Sequence, residues 1–224
     1  MDTIFVENNP IKGFDNEISK YLYSLFSSVC SVDSSYLHFA GYNADEDIEH
    51  VERVFAYELY HQWCNYPTIK NNKNIVINAE IPKELICEVK NIKESLSYPD
   101  MVLHHGQGLY SGNIIVCEIK REKYAEQFPE KVLHDFEKLK VFLSDGVKVN
   151  NEKEDWEPFK VGVFILTMGK DSNKKVTVRY IKDIMGKYYE DIKKYSSKIK
   201  KRIVCVVYNG KELKFDTLIN MDKK

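Results

Sequence analysis

Two stretches constrain this chain most: "NIIVCEIK" at 113–120 and "FKVGVFILTMG" at 159–169. Neither alternates apolar with polar residues. Both are rich in Ile and Val, and both are much shorter than the ~20 apolar residues a membrane helix needs. A strand that is apolar on both sides must be covered on both sides. The expected architecture is therefore α/β, a mixed central β-sheet flanked by helices on both faces.

The covering helices are legible as periodicity. In the N-terminal segment, residues 1–45, "DNEISKYLYSLFSSVCS" places Ile18, Leu22, Leu25, Phe26 and Val29 at helical spacing. "DEDIEHVERVFAYELYHQWC" opens acidic, as suits a helix N-terminus, and then repeats Ile48, Val51, Phe55 and Leu59. "EKVLHDFEKLKVFLSDG" carries Val132, Phe136, Leu139 and Phe142 on one face and stops at Gly146. The region 180–210 reads as one long basic helix, from about Ile181 to Lys201, followed by the strand "RIVCVVYN". Strands are also expected at "NIVINAEI", ending at Pro82, and at "DMVLHH" and "NIIVCEIK", around a turn containing Gly106, Gly108 and Gly112. Without repeats or a Pro/Gly-rich linker, residues 1–224 are expected to form a single domain.

Composition narrows the function classes. A chain of 224 residues with 43% hydrophobic and 30% charged residues can bury a full core. A net charge of −1 argues against a uniformly basic nucleic-acid binder but leaves room for a local patch. The five cysteines, Cys30, Cys64, Cys87, Cys117 and Cys205, form no CxxC pair, which removes support for a zinc or disulfide framework. "MDTIFVENNP" lacks the basic and apolar regions of a signal peptide, so a cytoplasmic location is expected.

Charges at the ends of otherwise apolar strands then need a reason. If the glycine-rich segment closes a hairpin, His104 opposes Ile114, Val102 opposes Val116, and Asp100 opposes Glu118. Alternation with period two then sends Asp100, Glu118 and Lys120 to one side. Directly opposed residues have Cβ atoms about 4.5–5.5 Å apart. Two carboxylates at that distance repel unless a proton or cation lies between them, and hard oxygen ligands suit magnesium or manganese. Lys120 would position or activate a water beside the ion. The pattern [DE]xK alone discriminates little, since EVK, DIK, ELK and DKK also occur. Only Glu118-Ile119-Lys120 follows a four-residue apolar run and trails a Pro-Asp pair, Pro99-Asp100, by a hairpin's length. The plainer reading is a strand end flanked by solvated charges.

"YPDMVLHH…NIIVCEIKR" resembles the PD-(D/E)XK signature of the restriction-endonuclease-like superfamily, over a core from about Asp45 to Gly169. The resemblance implies an αβββαβ core and metal-dependent hydrolysis of nucleic-acid phosphodiesters with 5′-phosphate products. It implies that Asp100, Glu118 and the Ile119 carbonyl hold Mg2+ or Mn2+ and that Lys120 serves the attacking water. Some members keep the fold without the chemistry, so a non-catalytic nucleic-acid-binding or assembly module is the alternative. DNA is the expected partner with RNA as the other substrate, no membrane is expected, and a homodimer is one oligomeric form.

Such nucleases often add a glutamate from the helix before the sheet. Glu58 lies within the apolar stripe of its helix and is the first choice; pairing with Arg53 or His61 is the bland reading, and Glu52 is the substitute. Gln62, one turn after Glu58, would join the same cluster. Glu80 ends the first strand and reads more simply as an ordinary strand-end carboxylate. Asp135 and Lys138, three apart on one helix face, would pair with each other or reach Lys120, with a solvated surface pair as the plainer reading. Adjacent His104 and His105 point to opposite faces and read as turn residues, with substrate contacts as the alternative. Between Arg179 and Arg202 there are nine Lys or Arg against three Asp or Glu, with tyrosines interleaved. Lys193, Lys194, Lys198 and Lys201 are therefore candidate phosphate contacts and the tyrosines candidate base-stacking rings. A solvated helix with its tyrosines packed inward competes equally.

Overall fold

The computed structural model describes residues 11–37, 48–79, 99–106, 112–144, 157–169 and 172–222, for 48–51 the backbone alone. Six strands form one open mixed sheet in the order β1 to β6: β1 Ile75–Ala79, β2 Met101–His105, β3 Asn113–Arg121, β4 Val161–Thr167, β5 Ile203–Tyr208 and β6 Leu213–Thr217. The central strands β3, β4 and β5 run parallel, and the outer pairs β1–β2, β2–β3 and β5–β6 are antiparallel. The uninterrupted apolar runs fall on these central strands, and every residue of β4 and β5 is buried. β6 escaped the sequence reading because "LKFDT" is short and half polar, and its burial is that of an edge strand.

Alternation divides the core in two. Cys117 and Ile119 of β3 join one apolar cluster with residues of α1 (Asn16–Ser31) and α2 (Ile48–Asn65). Val116 joins the other with residues of α5 (Pro129–Phe142). Helices thus cover both faces, as two-sided apolar strands require. The Asp15 carboxylate starts α1 by accepting from Ile18 N at 2.8 Å. Phe55, Leu59 and Trp63 line the buried face of α2, and Trp63 Nε1 donates to Ser24 Oγ of α1 at 2.8 Å. Two short helices, α3 Pro67–Lys70 and α4 Glu122–Gln127, follow α2 and β3 directly or nearly so. Pro129 at the first turn starts α5 as a separate helix after α4.

The single basic helix expected at 181–201 is corrected. The segment is broken into α6 Arg179–Met185, a 3₁₀ turn at Gly186–Tyr188, α7 Tyr189–Lys193 and α8 Ser197–Arg202. Gly186 at φ 50° ends the first piece, and Ser196 caps the last by accepting from Ile199 N. A short helix, α9 Leu218–Met221, is the last element among the described residues. No helix of the described residues is long and apolar enough to cross a membrane.

The β2–β3 hairpin keeps the expected pairing of Val102 with Val116, but a bulge between Leu103 and His104 matches His104 with Asn113 instead of Ile114. The extra residue explains why consecutive Ile114 and Ile115 enter the same cluster. Gly112, at φ 80°, returns the chain into β3, and an added Cβ would meet the His105 ring at 2.6 Å. Gly112→Ala is expected to destabilise by about 1–3 kcal/mol, seen as a lower urea midpoint. An unchanged midpoint would show that the hairpin end tolerates a different path.

Candidate active site

β2 and β3 meet in register at Met101 and Cys117, which carries Asp100, just before β2, to the level of Glu118. Asp100 Oδ2 accepts from Ile119 N at 2.6 Å, so the aspartate is fastened to the strand bearing the other two charges. Glu118 is 1% exposed, and its Oε2 receives Lys138 Nζ of α5 at 2.5 Å. Lys138 also lies 3.2 Å from Asp135 Oδ1. Asp135 Oδ2 has Lys120 Nζ at 3.2 Å, and Lys120 reaches Glu52 Oε1 of α2 at 3.0 Å. The second Glu52 oxygen accepts from Arg121 N at 3.3 Å. Lys120 Nζ stands 5.4 Å from the centroid of the Tyr124 ring, a cation–π contact.

Asp135 and Lys138, 4% and 8% exposed, are thus not a solvated surface pair. They bond to each other and to opposite members of the β3 motif, joining both pairings that their spacing allows. The Glu58 expectation is corrected: its carboxylate accepts from Gln62 Nε2 at 2.6 Å and lies 3.6 Å from His61 Nδ1, all on its own helix. At 3.6 residues per turn, Glu52 and Glu58 are roughly a third of a turn apart around the helix, and Glu52 faces the end of β3. Gln62 therefore serves Glu58 and joins no cluster with Asp100. Glu80 lies outside the described residues. His104 and His105 are strand residues, with His104 Nδ1 2.8 Å from the His105 carbonyl.

Electrostatics follow from burial and charge count. Fully ionised, Glu52, Asp100, Glu118 and Asp135 face, among the described residues, Lys120 and Lys138, a surplus of two negative charges. Burial, reinforced by the neighbouring carboxylates, raises the Asp100 carboxyl and raises that of Glu118 well above the ordinary range. Burial also lifts Glu52, against the pull of Lys120, to about 7. For both lysines burial opposes the charge, but the surrounding carboxylates outweigh it and hold each pKa above its usual value. Glu118 Oε1 remains buried without a hydrogen-bond partner. An orphaned carboxylate oxygen of this kind is costly unless a cation or proton reaches it.

The signs combine into a testable pH dependence. A carboxyl raised in the folded state gives stability that is greatest below its unfolded pKa and is lost as pH rises through the folded value. The raised lysines contribute throughout this range and lose their effect only above 10.5. In EDTA, the stability of the parent relative to Glu52→Gln should fall by about 3 kcal/mol between pH 4.5 and pH 7. Parallel urea titrations of the two proteins across that window measure it; identical pH profiles would remove Glu52 from the coupled cluster.

Among the described residues no group of three or more His, Cys, Asp and Glu side chains is arranged to hold an ion. The donor set in question has two carboxylates, Asp100 and Glu118, with a backbone carbonyl as the third oxygen. Its hard-oxygen chemistry, its surplus negative charge and the orphaned Glu118 Oε1 fit Mg2+ or Mn2+.

The basic region offers less. Tyr180, Tyr189 and Tyr195 are buried, so they do not present faces for stacking. Exposed Lys193 and Lys194 pair with Glu190 and Asp191, while Lys198 and Lys201 are also exposed. Tyr124 and the Arg121 amide were missed in sequence, although both lie within four residues of Lys120. Comparison of the chain with protein-family models, curated proteins and solved structures finds no match.

Proposed function

We propose that the protein is a divalent-metal-dependent nuclease that hydrolyses phosphodiester bonds of DNA on a restriction-endonuclease-like core. Among the described residues, the order α2, β1, β2, β3, α5, β4, with only the short α3 and α4 between, supports this reading. The observation that carries it is the buried, unpartnered Glu118 Oε1, in a charge-surplus cluster with Asp100 fastened beside it and Lys120 two residues on. Asp100, Glu118 and the Ile119 carbonyl would hold the ion. Bound there, Mg2+ or Mn2+ supplies Lewis-acid stabilisation of charge on the phosphate oxygens.

The chain's own groups do the rest. Glu52 and Asp135 hold Lys120 from two helices and keep it protonated. Lys120 therefore orients a water or phosphate oxygen by donating a hydrogen bond; it does not accept the water's proton. Asp135 also holds Lys138, so α5 orders both lysines at once. Lys193, Lys194, Lys198 and Lys201 are the proposed contacts to the DNA backbone.

The Lys138 ammonium on Glu118 favours a second reading, a nucleic-acid-binding or assembly module in which the lysine already occupies Glu118 and no catalysis occurs. Incubation of purified protein with supercoiled and single-stranded DNA decides between them. Nicking or cutting with Mg2+ or Mn2+, abolished by EDTA, is expected. Binding without cleavage of any DNA or RNA form under any divalent ion would favour the module.

A further inference from the structure

We infer that the site takes one divalent ion rather than two, because Lys138 is built in as the second cation. The inference rests on the metal-dependent reading above and specifies its stoichiometry. Glu118 is divided between two duties: Oε2 is committed to Lys138 Nζ at 2.5 Å, while buried Oε1 has no partner. Asp100 is divided in the same way, with Oδ2 committed to Ile119 N, which leaves Oδ1 for an ion. Asp135 Oδ1, 3.2 Å from Lys138 Nζ, fixes the ammonium from the helix side.

Charge balance points to the same number. With all four carboxylates ionised, Lys120 and Lys138 leave a surplus of two negative charges, which one divalent ion neutralises. A second ion would leave two uncompensated positive charges in a site whose Glu118 and Asp135 side chains are almost wholly removed from water. A second ion would also compete with the ammonium for Glu118 Oε2. Lys138 is thus a positioning residue: by holding Glu118 Oε2 it leaves Oε1 for an ion, and it supplies the positive charge that a second metal would otherwise bring. Lys120 contacts Glu52 and Asp135 but not Glu118, so the two lysines are not equivalent.

Calorimetric titration of the full chain with Mn2+ at neutral pH, with bound ion counted by electron paramagnetic resonance, tests this. The wild type is expected to bind one Mn2+ per chain, and Lys138→Arg, which keeps the charge, also one. Lys138→Gln is expected to admit a second Mn2+, whereas Lys120→Gln remains at one. Two ions in the wild type would overturn the stand-in role while leaving the metal-dependent reading intact. So would a Lys138→Gln protein that is folded by circular dichroism yet still binds a single ion. If Lys138→Gln does not fold, the wild-type count decides alone. Absence of Mn2+ binding by the wild type and every variant would remove the metal-dependent reading itself, and this inference with it.

Discussion

Replacing Glu118 by Gln is expected to lower metal-dependent cleavage by on the order of 10³-fold while leaving the protein folded. The factor corresponds to the several kcal/mol that an ion supplies at a phosphoryl oxygen, which the variant forfeits by losing half of the carboxylate pair. Shape is preserved, and Lys138 retains Asp135 at 3.2 Å. Asp100→Asn should lose cleavage to a similar extent, since its amide oxygen can still accept from Ile119 N but carries no charge for the ion. In EDTA both variants should melt no lower than the parent, because each removes one of the surplus negative charges. Steady-state cleavage assays and thermal melts of the same preparations measure the two effects. Parent-level cutting by Glu118→Gln would place any activity elsewhere, in another site or a contaminant.

The second large effect concerns Lys120. Lys120→Met is expected to lower kcat by about 10²–10³-fold with Mn2+ binding retained, since the role proposed for the lysine is with the water or phosphate and not with the ion. Stability should also suffer, by about 3–5 kcal/mol, because Glu52 and Asp135 lose the cation between them. Lys120→Arg separates the two roles. It keeps the charge and hence the fold, but its planar fork directs donors differently from a single ammonium, so stability should recover while kcat stays low. Recovery of kcat together with stability would show that Lys120 matters only for holding the cluster together.

Much of this arrangement is legible in the sequence, for reasons that differ by element. The strand ends declared themselves because period-two alternation is rigid: once Val102 faces Val116, Asp100 must reach the level of Glu118. The bulge at Ile114 did not disturb that, because it lies on the turn side of the pairing. Helical side chains are less constrained by sequence. Glu52 and Glu58 share one helix, and choosing between them needs its rotation against β3, which is set by Phe55, Leu59 and Trp63 seating on a sheet that sequence does not place. Asp135 and Lys138 looked like surface charges because i, i+3 ion pairs are common on exposed helix faces. Only the burial of α5 against β3 and β4 turns them inward. In the basic segment Tyr180, Tyr189 and Tyr195 pack inward, as the plainer of its two readings has it, whereas Gly186 interrupts what charge periodicity alone reads as continuous.

The parallel pairing of β3 with β4 has a kinetic consequence. Residues 115–121 must find 161–167 across the whole of α4, α5 and the segment beyond, a non-local step that forms slowly compared with helices and hairpins. The four carboxylates and two lysines come from α2, the start of β2, β3 and α5; Asp100 and Glu118 meet within the β2–β3 hairpin, but their burial under α5, which packs on both β3 and β4, waits for that long closure. Before it, the charges remain in water, which screens the repulsion between Asp100 and Glu118. The electrostatic cost of the cluster therefore belongs to the last steps of assembly. An ion that binds it acts mainly by slowing the chain's escape from the native state, with little influence on how fast the chain arrives.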